Sequence, residues 1–293
     1  MSGVDRGEEL LRGKADKTKA KAQSGTGWYA VLARLGLVAK GISYGLVGTL
    51  ALAVAVGHGG ETTSRDGALA AIADESWGKL LLILLALGFA AYAIWRIVQA
   101  IAEREDQEDG EAKGLAKKWG KRAGYLARGL IYAGLTYTTI RLLTGRGAEQ
   151  SQNEKARETT AAIFDWPGGR WLVGLAGLAI IGAGLWNIYR GLSKKFEEKW
   201  RGGMSRTERT WGSRAGVGGH VARGVVFGLI GIFITKAATD YDAQDAIGFD
   251  GALRKLADAA YGPWLLGVTA AGLVAYGVFC LVDARYRDVS AGG

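Results

Sequence analysis

One sequence step is written three times along the chain, and each time it opens an apolar, glycine-spaced helix. It reads Leu37-Val-Ala-Lys40-Gly41-Ile-Ser-Tyr44-Gly45, then Tyr125-Leu-Ala-Arg128-Gly129-Leu-Ile-Tyr132-Ala133, then His220-Val-Ala-Arg223-Gly224-Val-Val-Phe227-Gly228. A second apolar segment follows each copy. A hairpin of two helices cannot bury its apolar surface alone, so the pattern predicts three hairpins packed together. The units run over 31–101, 122–193 and 215–287, after a hydrophilic tail over 1–27. Two prolines against 47 glycines fit long unbroken helices with small contact faces.

Length and apolarity place these helices in a membrane. Leu80–Trp95, Trp171–Tyr189 and Leu265–Val282 contain no charged residue, and crossing the hydrocarbon core takes about 20 residues. The first helices of the hairpins (Leu35–Val56, Gly124–Leu143 and Val221–Ala238) each hold a cation near the start. Only 12 uncharged residues separate Arg128 from Arg141, and 12 separate Arg223 from Lys236. Lysine and arginine near helix ends can snorkel to the headgroups, so these segments also read as spans. The tail is Lys-rich without an apolar core, unlike a signal peptide, so insertion would rely on the first helix.

Lys and Arg crowd the tail and the links 102–122 and 190–216, whereas the other links carry Glu61, Asp66, Asp74, Glu75, Glu149, Glu154, Asp240, Asp242, Asp245 and Asp250. The positive-inside rule then puts both termini in the cytoplasm. Trp77, Trp166, Trp171 and Trp264 would mark the outer interface, and Trp28, Trp95, Trp186 and Trp200 the inner one. All hairpins enter from one side. The expected fold is therefore an all-α integral membrane protein. Its six transmembrane helices would form three tandem hairpins about a pseudo-threefold axis along the membrane normal, unlike inverted repeats.

The outer links share a further element. Gly67-Ala-Leu69-Ala-Ala-Ile72-Ala-Asp74 resembles Gly251-Ala-Leu253-Arg-Lys-Leu256-Ala-Asp258, with Glu158–Asp165 a looser copy. The apolar spacing predicts short amphipathic helices lying on the outer surface. In each copy an Asp precedes a Gly by four residues: Asp74 and Gly78, Asp165 and Gly169, Asp258 and Gly262. Those glycines are placed to end the short helix and turn the chain into the membrane.

Several constellations bear on function. Gly41/Gly45, Gly129/Ala133 and Gly224/Gly228 are small-xxx-small pairs. They would pack helices within the chain, in preference to joining separate chains. Lys40, Arg128 and Arg223 are equivalent and should lie at one depth. Facing the axis, they form a basic ring suited to an anion or a lipid phosphate. Facing outward, they snorkel to inner-leaflet headgroups, which is the simpler expectation. Tyr44, Tyr132 and Phe227 lie one turn further on, as an aromatic layer or constriction. At the inner ends of the second helices, Arg96, Asn187 and Cys280 correspond, as do Gln99, Arg190 and Asp283. Their differing chemistry suits interfacial positions better than one symmetric site.

No Asp or Glu falls in the middle of a predicted span, so the usual carboxylate for proton or sodium coupling is missing. His58 and His220 are far apart and at helix ends, which argues against a metal, and Cys280 has no second cysteine to pair with. No nucleophile elbow, phosphate loop or zincin motif occurs. An enzyme is not expected, nor a cofactor; an escape would be a lipid-modifying site built from Asp74, Asp165 and Asp258. Net charge of +9 is spread over alternate links and forms no single surface for nucleic acid. The expected role is non-catalytic, packing with membrane-protein partners or anionic lipids. The alternative is a pore or carrier for a small anionic solute along the axis.

The three Ala-(Lys/Arg)-Gly helices, the Gly-Ala-Leu segments and the Gly-Tyr-rich second helices together resemble a bacterial, largely actinobacterial membrane family, domain of unknown function 1206. The middle copy departs most, with Glu158-Thr-Thr where the others read Gly-Ala-Leu. The resemblance implies three two-helix repeats in a bacterial inner membrane, and implies no activity.

Overall fold

A computed structural model describes residues 3–57, 68–70, 78–102, 111–145, 151–200 and 203–287. Among these, six long helices carry the chain: α1 (Gly3–Ala55), α2 (Gly78–Ala102), α3 (Glu111–Leu143), α5 (Gly169–Leu192), α6 (Arg206–Asp240) and α8 (Gly262–Tyr286). Two shorter ones, α4 (Gln152–Phe164) and α7 (Phe249–Ala257), follow α3 and α6. The hydrophilic stretch at the start continues into the first apolar segment as a single helix of 53 residues. Helices α4 and α6 begin on capping boxes. Ser151 accepts from the Glu154 amide and Ser205 from the Glu208 amide, while each Glu reaches back to its Ser backbone.

Among the described residues, five stretches are long and apolar enough to cross a membrane: Ala30–Ala55, Gly78–Ile101, Gly169–Leu192, Arg206–Asp240 and Gly262–Tyr286. Their outward faces are apolar too, with Leu80, Leu84 and Leu87 of α2 and Leu175, Leu178 and Leu185 of α5 all exposed. The chain is a multi-pass membrane protein. Helix α3 falls outside this set, although its sequence reads as a span. Arg128 and Arg141 bound its apolar stretch, and Thr136, Tyr137, Thr138 and Thr139 dilute it.

The closest helix pairs join neighbouring hairpins. They are α1 with α8, α2 with α3, and α5 with α6. Small residues at equivalent positions make each contact. A Cβ on Gly277 would stand 2.7 Å from the Gly41 carbonyl oxygen, and one on Gly184 would stand 2.9 Å from that of Gly224. In the third pair Gly129 faces the Ala93 carbonyl at a looser 3.5 Å. The small-xxx-small pairs thus serve packing between hairpins inside one chain. Within hairpins, α1 packs on α2 and α6 on α8, whereas α3 and α5 of the middle hairpin form no such interface. The helices therefore follow one another as α3–α2–α1–α8–α6–α5, and the circle stays open between α3 and α5.

Three expectations change here. Helix α7 is amphipathic, with Arg254 and Lys255 exposed, but its apolar face meets protein rather than lipid: Phe249, Ala252, Leu253 and Leu256 are buried in the core, joining Tyr44, Val47, Leu266 and Leu273. Leu69 of the equivalent first link is buried as well. Second, Gly169 and Gly262 do not terminate the short helices; Asp165 and Asp258 cap α4 and α7 in right-handed conformation, and the glycines start α5 and α8. A Cβ there would stand 1.8 Å from the Ile163 oxygen or 1.7 Å from that of Ala257, so close approach demands glycine. Gly78 is the first described residue of α2, while Asp74, Trp77 and His58 lie outside the described residues. Third, Trp95 is 2% exposed and belongs to the core, and Trp200 donates to Asp283. Neither marks a lipid interface, whereas Trp28, Trp166, Trp171, Trp186 and Trp264 are exposed.

Candidate functional site

The end of the bundle that bears the 193–205 link holds a cavity of about 540 Å³. Lys40, Arg128 and Arg223 all line it, from α1, α3 and α6. Lys40 and Arg223 therefore turn inward, against the expectation that they snorkel to lipid, while Arg128 borders the cavity and stays exposed. Arg128 is the more exposed of the three, since its helix borders the opening between α3 and α5.

Aromatic rings hold these cations. Lys40 Nζ lies 5.0 Å from the Tyr276 ring and 5.8 Å from that of Tyr92. The Arg223 guanidinium sits 4.6 Å from Tyr276, 5.0 Å from Phe227 and 5.3 Å from Tyr44, and donates to the Tyr276 hydroxyl. Each such contact contributes about 0.5–2 kcal/mol, and none of them neutralises charge. Tyr44 meets Tyr276 edge-on at 4.9 Å and Phe249 at 6.3 Å, and Tyr132 packs on Tyr92 at 4.3 Å. The aromatic layer thus forms the inner wall of the cavity, and Phe249 backs it from the opposite end of the bundle.

Further cations join from positions expected to be interfacial. Arg96 donates to the Tyr92 hydroxyl at 2.8 Å and to Gln99 at 2.6 Å. Arg190, Lys195, Lys199 and Arg287 complete the lining, with Glu198 and Asp283 as its carboxylates. Asp283 is committed to Arg287, at 2.9 Å. Among the described residues, Lys40, Arg128, Arg190 and Arg223 have no ion-pair partner. At the mouth, partial burial and then Arg287, Arg190 and Arg96 push the Lys199 ammonium pKa below the usual lysine value. Eight cations against two carboxylates make this a concentrated positive field.

His220 lines the same cavity and is not at a helix end: it is buried within α6, stacked on Phe196 at 5.2 Å with Nδ1 2.7 Å from the Gly216 oxygen. The described residues hold no group of three His, Cys, Asp or Glu side chains placed to hold a metal. Asp165 and Asp258 cap their short helices and do not line the basic cavity.

Residues 35–103, 123–194 and 218–287 match the family described as Domain of Unknown Function (DUF1206). The chain belongs to the DUF1206 family. The three matches coincide with the three hairpins, so the cavity is built from all three DUF1206 repeats. An uncharacterized protein of Bacillus subtilis (strain 168), YxxB, is 28% identical over 264 residues, covering 90% of this chain and 93% of the relative. No solved structure matches.

Reasoning by symmetry missed Arg96, Asn187, Cys280, Gln99, Arg190 and Asp283 as one set, although all six line the cavity. Their signal was position, because they occupy matched registers, and their differing chemistry hid it. One turn earlier the matched residues are Tyr92, Ala183 and Tyr276. The middle repeat therefore lacks the tyrosine that the other two place against a cation.

Proposed function

We propose that this DUF1206 chain is a plasma-membrane protein that binds a phosphate-like anion in the basic cavity, without catalysis. Six helices cross the membrane about a pseudo-threefold axis, with the cavity and both termini on the cytoplasmic side. Helix α3 counts as the sixth crossing because it runs along α2 and spans about 50 Å at 1.5 Å per residue. The Lys- and Arg-rich links at the cavity end support the cytoplasmic assignment.

The observation that carries the reading is the excess of cations over carboxylates around one cavity, four of them without an ion-pair partner among the described residues. Charged side chains within a membrane bundle are costly, up to about 2.5–3.5 kcal/mol at the bilayer centre by insertion scales, and typically mark a ligand or partner site. A phosphate group accepts several charge-assisted hydrogen bonds at once, and three arginines with a lysine suit it. The buried contacts of Tyr44 with Tyr276 and Phe249 favour a blind binding site over an open pore.

Thermal melting of the purified chain in detergent tests this. Inorganic phosphate at 100 times its Kd should stabilise the protein by about 2.7 kcal/mol, beyond any effect of chloride at equal ionic strength. A variant combining Lys40→Ala, Arg128→Ala and Arg223→Ala should lose that increment, and phosphate flux into liposomes should stay at background for both proteins. Equal stabilisation of the two proteins, or flux that depends on the three cations, would overturn the reading.

A further inference from the structure

A second, larger cavity of about 940 Å³ lies in the opening between α3 and α5. Its walls are mainly apolar, including Leu135 of α3, Val173 and Ala176 of α5, and Ile230 of α6. Ile131 and Phe227 line both this cavity and the basic one. The two spaces therefore adjoin across these two side chains, the basic cavity on one side and on the other a mainly apolar space whose lining also includes Arg141 and Lys155.

The dimensions fit a lipid tail. From Ile131, at the junction, to Arg141, at the far end, α3 advances ten residues, or about 15 Å. That is about half the hydrocarbon thickness of a bilayer, the depth of one leaflet. The opening is lateral, because α3 and α5 form no packed interface and their outward faces carry exposed Leu130 and Leu172. Ala183, standing where the other repeats have tyrosine, leaves the α5 side of the basic cavity without a ring.

We propose that the occupant of the basic cavity is the headgroup of an anionic membrane lipid, which enters sideways between α3 and α5 and seats an acyl chain in the apolar cavity. This rests on the anion-binding reading above and specifies its ligand class. The charge excess selects the phosphate, and the adjoining apolar space, reached past Ile131 and Phe227, selects a ligand that carries a tail. A free phosphate would use only one of the two spaces.

Native mass spectrometry of the full chain in detergent separates the possibilities. The probes are dioleoyl phosphatidic acid, its soluble headgroup glycerol 3-phosphate, and dioleoyl phosphatidylcholine. Phosphatidic acid should bind at least tenfold more tightly than either of the others. Gly134→Phe and Ala176→Phe extend into the apolar cavity; a Cβ at Gly134 meets nothing within 4 Å and Ala176 is exposed, so both variants should fold. Each should lower phosphatidic acid affinity about tenfold and leave glycerol 3-phosphate binding unchanged. As a second readout, phosphatidic acid with a photoreactive group at the acyl terminus should label 134–141 or 156–163.

Equal affinity for lipid and headgroup, insensitive to either variant, would overturn the lipid assignment and leave anion binding standing. Labelling spread evenly over outward residues such as Leu80 and Leu87 would overturn it too. Failure of both phosphate probes to bind would bring down the anion-binding reading itself.

Discussion

Gly277 of α8 presses its α-carbon against the backbone of Gly41 in α1, so that a Cβ there would stand 2.7 Å from the Gly41 oxygen and 3.1 Å from the Gly45 α-carbon. The space between these helices is therefore set by backbone, which cannot give way as a flexible side chain can. Gly277→Leu should destabilise the protein by about 1–3 kcal/mol through overpacking. Melting of the detergent-solubilised variant measures this. Gly182→Leu, where a Cβ meets nothing within 4 Å, should melt with the parent chain; equal losses from both would refute the contact's importance.

Asp283 offers a prediction with two opposite signs. It holds Arg287 at 2.9 Å with both side chains largely buried, and it accepts from Trp200. Asp283→Asn breaks a buried pair, which costs about 3–5 kcal/mol. It also removes a carboxylate from the basic cavity and frees Arg287. The melting temperature should fall while the increment gained on adding phosphate grows, and a smaller increment would contradict the assigned role of the cavity charge.

Ala183→Tyr would restore the side chain that Tyr92 and Tyr276 supply in the other repeats. Ala183 is exposed and lines the basic cavity, so the ring has room without disturbing the α5–α6 contact. The variant should keep the parent melting temperature and lose phosphatidic acid binding by about tenfold. Retained lipid affinity would mean that the ligand does not pass this position.

Topology is checked by chemistry from outside the cell. In a background with Cys280→Ala, a cysteine replacing Asp245 should react with an impermeant thiol reagent in intact cells, and one replacing Lys118 should not. The reverse pattern would invert the molecule in the membrane.

Much of the fold was legible because the signals were local and repeated. The Ala-(Lys/Arg)-Gly steps located α1, α3 and α6, and the uncharged stretches located α2, α5 and α8. The direction of Lys40 and Arg223 was not legible. A cation at a helix face reads the same in sequence whether its neighbour is lipid or a tyrosine on another repeat. Tyr276 lies 53 residues from Arg223 along the chain, and only packing brings them together. Helix α7 was misplaced for a related reason: apolar residues at helical spacing fit a lipid surface and a protein core equally well. The opening between α3 and α5 was invisible because it arises from a contact that the middle repeat does not make.

The packing of α8 along α1 has a consequence for biogenesis. The ribosome delivers α1 well before α8, so the glycine groove around Gly41 lacks its partner until α8 has been made. Every intermediate on the way leaves that groove without the helix that fills it. Termination before Gly262 should therefore leave a proteolysis-prone fragment, although five of the six long helices would be present.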